Sequence, residues 1–244
     1  MPLVSTHFSF FSAFLRYTCR MRAALFIPFF CLLSCSRPLT TGETAFAEDL
    51  QGETISPSTV RVVHDVPLGV ATFRREKRPR LACRERIYPE PTDDVVTAST
   101  AAVVLHNTVL LSTQWQKDDY LKGYPAQLNL SDAMLFAHEI THVWQWQNRA
   151  ITGYSPRRAA KEHQVNDDPY RFDTSTQSHF LEYGYEQQAS IVEEYLCCAL
   201  LDPDAPRTHR LKAMLQEVMP LSAFPTPMTV QLPWKGVELE GICH

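Results

Sequence analysis

Ala137-His138-Glu139-Ile140-Thr141-His142-Val143-Trp144-Gln145 is the stretch that decides how this chain is read. On an α-helix, side chains four residues apart stand one above the other on a single face. His138 and His142 therefore offer two imidazole nitrogens to one metal ion, and Glu139, one step around the helix, reaches a water on that ion. Zinc brings the pKa of a bound water toward neutrality, where a carboxylate accepts its proton. This is the physical reason for a His-Glu-x-x-His helix in metal-dependent hydrolysis. Phe136, Ile140, Val143 and Trp144 form an apolar stripe roughly opposite the histidines, as expected of a helix packed between a core and a cleft. Ser131 is the expected N-cap, with Asp132 beside the positive helix end, and the helix is expected to run to about Asn148. Trp144 and Trp146 are read as core or cleft-wall packing rather than as ligand-stacking surfaces.

Two histidines do not make a site, because catalytic zinc takes three protein ligands and keeps a position for water. A third histidine six residues after His142 would mark the metzincin pattern. That position is Asn148, and the accompanying glycine position is Gln145, which excludes that class. A carboxylate from a later helix is the remaining option. Glu186, which opens Glu186-Gln187-Gln188-Ala189 at a helix start, is the leading candidate, and Ala189 one turn on allows close helix approach. Glu193, Glu194, Glu182, His163 and His179 stay open as rivals; Glu193 and Glu194 otherwise read as a solvated helix face. A proton donor or second electrophile is expected from Tyr183, Tyr185, Tyr195 or His179. No Cys-x-x-Cys occurs, so a cysteine-built zinc site is not expected.

Glu-x-x-Ala following His-Glu-x-x-His resembles the gluzincin metallopeptidases. More narrowly, His138-Glu139-Ile140-Thr141-His142-Val143-Trp144-Gln145 followed by Glu186-Gln187-Gln188-Ala189-Ser190-Ile191-Val192-Glu193-Glu194-Tyr195 is similar to a group of bacterial metallopeptidase-type domains. These occur near contractile-injection and type VI secretion spike components. Val103-Val104-Leu105-His106-Asn107-Thr108-Val109 is similar to a Gly-Asn-Thr strand that precedes the motif in that group, with His106 where Gly is usual. The resemblance covers roughly residues 100–200. It implies a zincin-like α+β fold, with N-terminal strands, the His-Glu-x-x-His helix and a C-terminal helical part. It also implies Zn2+ as cofactor on His138, His142 and Glu186, Glu139 as general base, and a peptide or protein as substrate. One position departs from the pattern. Many gluzincins place Asp four residues after the ligand Glu, against a ligand His; here Ser190 stands there, a weaker support that is expected to reduce metal affinity or activity.

Upstream, Arg22 precedes an apolar run from Ala23 to Cys35, which has the length of a signal-peptide core and is short for a bilayer span. Met21 directly before it is an alternative start. Leu32-Leu33-Ser34-Cys35 resembles a lipoprotein box, so Cys35 is the candidate lipid anchor; Ala45-Phe46-Ala47 is the alternative, small-x-small, cleavage site. The expected organisation is a leader over residues 1–35, a flexible Ser/Thr/Pro/Gly-rich tether over 36–58, and one domain over 59–244. The expected location is the bacterial periplasm or outer membrane, alternatively the medium.

Within the domain, 59–71 reads as strand, and 73–91 as loop with a strand near Arg84–Tyr88. Residues 101–112 read as a strand pair or one bent strand. Ser155-Pro156 opens a short helix, 164–178 is irregular, and helices follow over about Tyr185–Leu201 and Pro206–Val218. Strands followed by helices predict an α+β layout. Past the leader the cysteines are Cys83, Cys197, Cys198 and Cys243. An even count outside the cytosol permits a bond from Cys197 or Cys198 to Cys83 or Cys243, four buried thiols being the alternative.

At 244 residues and 45% hydrophobic, the chain can bury a real core. Its net charge is −4, and beyond residue 34 the balance is 20 basic against 27 acidic residues. An acidic body argues against nucleic acid as a partner, and leaves a membrane role only to an anchor at Cys35. Two further readings stand beside the peptidase. One is a non-catalytic envelope protein that keeps zinc for structure and acts by binding; the intact Glu139 speaks against it, and a closed four-ligand shell would favour it. The other is a small-molecule metallohydrolase.

Overall fold

Thr40-x-x-Glu43 sets the first helix. The structure, a computed structural model, describes residues 36–68, 72–77, 79–165, 168–175, 177–225 and 228–244. Helix α1 (Thr41–Gln51) starts on a capping box: the Thr40 hydroxyl accepts the Glu43 N–H at 3.1 Å, and Glu43 accepts the Thr40 N–H at 2.9 Å. Phe46, Ala47 and Leu50 on its inner side are fully buried. Residues 36–58 are therefore part of the domain and not the tether that their composition suggested. Gln51 donates to Thr141, Trp144 donates to Thr54, and Gln147 accepts the Ser56 N–H, so the segment is fastened to the metal-motif helix. Ala45-Phe46-Ala47 lies inside α1, and cleavage there would cut the helix in two. The expected leader, with Cys35, lies outside the described residues.

The N-terminal sheet has the order β1 (Ser36–Arg37), β2 (Arg61–Val66), β6 (Thr108–Ser112), β5 (Ala102–Leu105). β2 and β6 run parallel, with Val62 opposite Val109; the other two pairings are antiparallel. Val62, Val104, Val109 and Leu111 turn into the core. Residues 101–112 thus form a strand pair, joined at His106-Asn107. His106 sits at φ 59°, a left-handed conformation that suits glycine and explains why that residue is usual in similar hairpins.

A separate antiparallel ribbon joins β3 (Thr72–Glu76) to β4 (Val95–Ser99), within a stretch read in part as loop. Residues 84–88 are not a strand: Cys83–Arg86 form the single-turn helix α2. Its first N–H groups, those of Cys83 and Arg84, donate to the buried Glu194 carboxylate at 2.9 and 3.2 Å. That anion stabilises a helical start which local propensity did not announce.

The metal-motif helix α3 (Leu130–Gln147) is capped by Asn129, whose side chain accepts the Asp132 N–H at 3.1 Å; the cap is not Ser131. Asn129 ends β7 (Gln127–Asn129), which pairs in parallel with β8 (Thr229–Gln231) from the far end of the chain. The short α4 (Arg149–Thr152) follows α3. Next come α5 (Pro156–Val165), α6 (Tyr185–Leu201) and α7 (Pro206–Leu215), the last ending sooner than expected. α3 packs along α6 and lies against β5 and β6. Trp144 is fully buried core, whereas Trp146 is partly exposed, with its ring 4.1 Å from that of His106. Disulfides Cys83–Cys197 and Cys198–Cys243 tie α2 and the C-terminus to neighbouring residues of α6. The result is a mixed α+β domain with an N-terminal sheet and a helical C-terminal part. No described helix is long and apolar enough to cross a membrane.

Candidate metal centre

Close packing of α3 on α6 brings three ligating atoms to one point. His138 Nε2 lies 3.1 Å from Glu186 Oε2, His142 Nε2 lies 3.4 Å from the same oxygen, and the two Nε2 atoms are 3.2 Å apart. All three residues are at least nine-tenths buried. A tetrahedral ion with bonds of about 2.0–2.1 Å spaces its ligand atoms about 3.3 Å apart, so the triangle fits a first-row metal. His138, His142 and Glu186 can thus hold a metal ion, and among the described residues no fourth His, Cys, Asp or Glu joins them.

The groups beside Nδ1 bear on which nitrogen each ring presents. Gln145 uses its amide N–H groups on the Tyr185 carbonyl and the Gln188 side chain, each at 2.9 Å, so its oxygen is left to accept from His142 Nδ1 at 2.9 Å. Gln188 in turn donates to the Tyr183 carbonyl. His138 Nδ1 stands 2.6 Å from Glu193 Oε1, an ion-pair contact without aligned hydrogen-bond geometry, and a carboxylate accepts only. His142, when neutral, therefore carries its proton on Nδ1 and turns the Nε2 lone pair to the centre, the tautomer a ligand needs, and the Glu193 carboxylate beside Nδ1 favours the same arrangement in His138.

Glu193 is thus placed behind a ligand, not among the ligands. Its second oxygen takes Arg84 at 3.2 Å, and Arg84 also donates to the Tyr170 carbonyl at 2.8 Å. The expectation that Ser190 carries the support in place of Asp is corrected: its buried hydroxyl has no hydrogen-bond partner among the described residues. The carboxylate comes instead from one turn further along α6. Nor are Glu193 and Glu194 a solvated face. Glu194 is fully buried and accepts from Arg207 at 3.0 Å as well as from α2.

Glu139 is buried, and its carboxylate has no hydrogen bond to another described residue. Burial pushes its pKa up, against the pull of His138 and His142. For Glu186 burial acts in the same direction, but His142, His138 and His163 overcome it and hold the carboxyl well below its usual range. His163, half-exposed on α5, faces the other oxygen of Glu186 at 2.9 Å.

The remaining rivals lie elsewhere. Glu182 accepts the His179 N–H in a tight turn, and His179 pairs with Glu217 in solvent. Tyr195 packs near Phe224, Tyr185 donates to the Thr152 carbonyl, and the Tyr183 hydroxyl is buried with no partner among the described residues. Tyr154, which the sequence did not single out, lies, like Tyr120, in the field of the site. Burial first, then the charges of Glu186 and Glu139, push it up to about 12. Its proximity arises from the chain reversal after α3, a tertiary effect with no local signature. A cleft of 630 Å³ runs beside the first turns of α3, walled by Tyr88, Trp115, Tyr120, Met134 and Leu135; it reaches Glu193 and Arg84, behind His138, and none of His138, Glu139, His142 or Glu186 lines it.

No family model matches the chain, and no curated protein matches it. Among solved structures it is similar to the effector domain of Pseudomonas aeruginosa VgrG2b, at 22% identity and a TM-score of 0.44, over 75% of this chain and 83% of that one.

Proposed function

We propose that the protein is an exported zinc-dependent metallopeptidase of zincin-like fold. The observation that carries the reading is the convergence of His138 Nε2, His142 Nε2 and Glu186 Oε2 at 3.1–3.4 Å, with an acceptor at Nδ1 of His142 and a carboxylate beside Nδ1 of His138. Two nitrogens and one oxygen at tetrahedral spacing suit zinc, and three protein ligands leave a position open, as in catalytic rather than structural sites. Bound there, zinc supplies an acidified water and an electrophile for a carbonyl.

The chain's own groups do the rest. Glu139, adjacent in sequence to His138 and without a hydrogen bond of its own, takes up the proton of the attacking water and delivers it to the leaving nitrogen. Its burial raises its pKa, which makes it the better base for the first transfer. Export is supported by the two buried disulfides, which form and persist in oxidising compartments.

Metal analysis by plasma mass spectrometry tests this on wild type, His138→Ala, Glu186→Ala and Glu139→Gln. The expected result is about one zinc per chain in wild type and Glu139→Gln and none in the other two, with digestion of a peptide library by wild type and not by Glu139→Gln. Folded, chelator-free wild type without zinc refutes the reading. Zinc without cleavage of any peptide moves it to the non-catalytic alternative.

A further inference from the structure

Resting on the metal reading above, we propose that His163 is a positioning residue that holds Glu186 as a one-oxygen ligand. Glu186 gives Oε2 to the two ligand histidines, while Oε1 lies 2.9 Å from His163 Nε2. A carboxylate that is free at both oxygens can turn both toward an ion and close the position that water and substrate need. An N–H donated to Oε1 opposes that rotation by occupying the outer oxygen and fixing the plane of the carboxylate.

α5 is built to hold this contact. Glu162, next to His163, accepts the N–H groups of Tyr185 and Glu186 at 2.9 and 3.2 Å, so a residue of α5 caps the first turn of α6. Gly184 permits the approach, since a Cβ there would come within 3.2 Å of Glu162 Oε1. Two consecutive residues of α5 thus grip the backbone and the side chain of one ligand. Tyr170 lies between the His138 and His163 rings, 5.8 Å from each, and limits where His163 can swing. No residue of α5 is fully buried, so a helix with little packing role of its own carries two contacts to the site.

The test compares wild type, His163→Ala and His163→Gln in the purified protein; a Gln amide N–H can take the place of His Nε2–H. Zinc affinity is read by competition with a chromophoric chelator, coordination by the visible absorption of the Co2+-loaded protein, and folding by circular dichroism. His163→Ala is expected to bind zinc ~10–100-fold more weakly, as for loss of other supports to a ligand. Its Co2+ bands should weaken and shift as the coordination number rises, and His163→Gln should restore both readouts. A His163→Ala protein with wild-type affinity and an unchanged Co2+ spectrum overturns the inference. So does an affinity loss that His163→Gln fails to rescue, since that marks a merely structural role. If wild type itself binds no zinc, the metal reading falls and takes this inference with it; if only the variants behave like wild type, this inference falls alone.

Discussion

Replacing Glu193 is the sharpest test of how the centre is built, because this residue touches no metal in the proposed site and yet sets a ligand. In Glu193→Ala, His138 Nδ1 loses an acceptor at 2.6 Å and Arg84 loses a carboxylate at 3.2 Å. Removing a group that orients a ligand histidine costs ~10–100-fold in metal affinity, about 1.4–2.7 kcal/mol. A second cost falls on folding. The Arg84 side chain is only 7% exposed and keeps the Tyr170 carbonyl as its remaining acceptor, and a buried pair broken on one side costs ~3–5 kcal/mol. Glu193→Gln keeps the shape and one oxygen, so it should retain most of the stability but only part of the affinity. Ser190→Ala should change neither, since the Ser190 hydroxyl bonds to nothing described. Zinc competition at pH 7 with thermal unfolding of the metal-free proteins separates the two costs. The reasoning is refuted if Glu193→Ala binds zinc within twofold of wild type while Glu186→Ala has lost it, or if Ser190→Ala is the weaker binder of the two.

Three other outcomes are expected. Phe46→Ala should destabilise the domain by ~3–5 kcal/mol, the usual cost of emptying a buried aromatic site, because Phe46 is fully buried and its ring meets those of Tyr124 and Phe136; denaturant unfolding with little change in midpoint would restore the tether reading. Cys83→Ser with Cys197→Ser opens a loop of 114 residues, for which chain entropy alone predicts a loss of about 4.8 kcal/mol; the same unfolding assay should show a larger loss than for Cys198→Ser with Cys243→Ser, whose loop spans 45. Zinc should raise the melting temperature more at pH 8 than at pH 5.5. Burial opposes the charged form of His138, but Glu193 and Glu186 prevail and raise its pKa well above the ordinary value; for His142 burial again opposes, and Glu186 raises the pKa above the ordinary value. Such groups stabilise the metal-free fold fully below about pH 6.5, and the gain is lost as pH rises through their folded pKa. Zinc needs both rings neutral, so protons compete with it on the acid side; a zinc-induced shift that is constant over this range would count against the site.

What could be read in advance followed the reach of each signal along the chain. Helices α3 and α6 and the β5–β6 pair have strong local patterns, and each stands within a few residues of its expected bounds. α1 has a local signature as well, since Thr40-x-x-Glu43 ahead of Phe46 and Leu50, four apart, is a capping box before an apolar stripe; the polar composition of 36–58 masks it. The β7–β8 pairing was not legible, because Gln127 meets Thr229 across about half the length of the domain and three-residue strands carry no periodicity. α2 is held by contact with Glu194, over a hundred residues away, and the local signal is slight: Glu85 accepts the Ala82 N–H, but Ala82 offers no side-chain cap in return.

The site divides along the same line. His138 and His142 are one helical turn apart, so geometry gave their convergence, and Glu186 lies at the start of the helix that packs on them. The support behind each ligand could not be read from a fixed offset. Four residues after the ligand carboxylate the chain has Ser190, and the natural inference was a weakened centre. Yet Glu193 lies two turns from Glu186 on a similar face of α6, and from there it reaches the outer nitrogen of His138 rather than the centre. Gln145, notable in the sequence only as a missing glycine, does the corresponding work for His142 three residues along the same helix. What a ligand histidine requires is an acceptor at Nδ1, and that requirement is met by position in space. A sequence pattern records one solution to it, so the loss of one residue from the pattern is weak evidence for the loss of the function it serves.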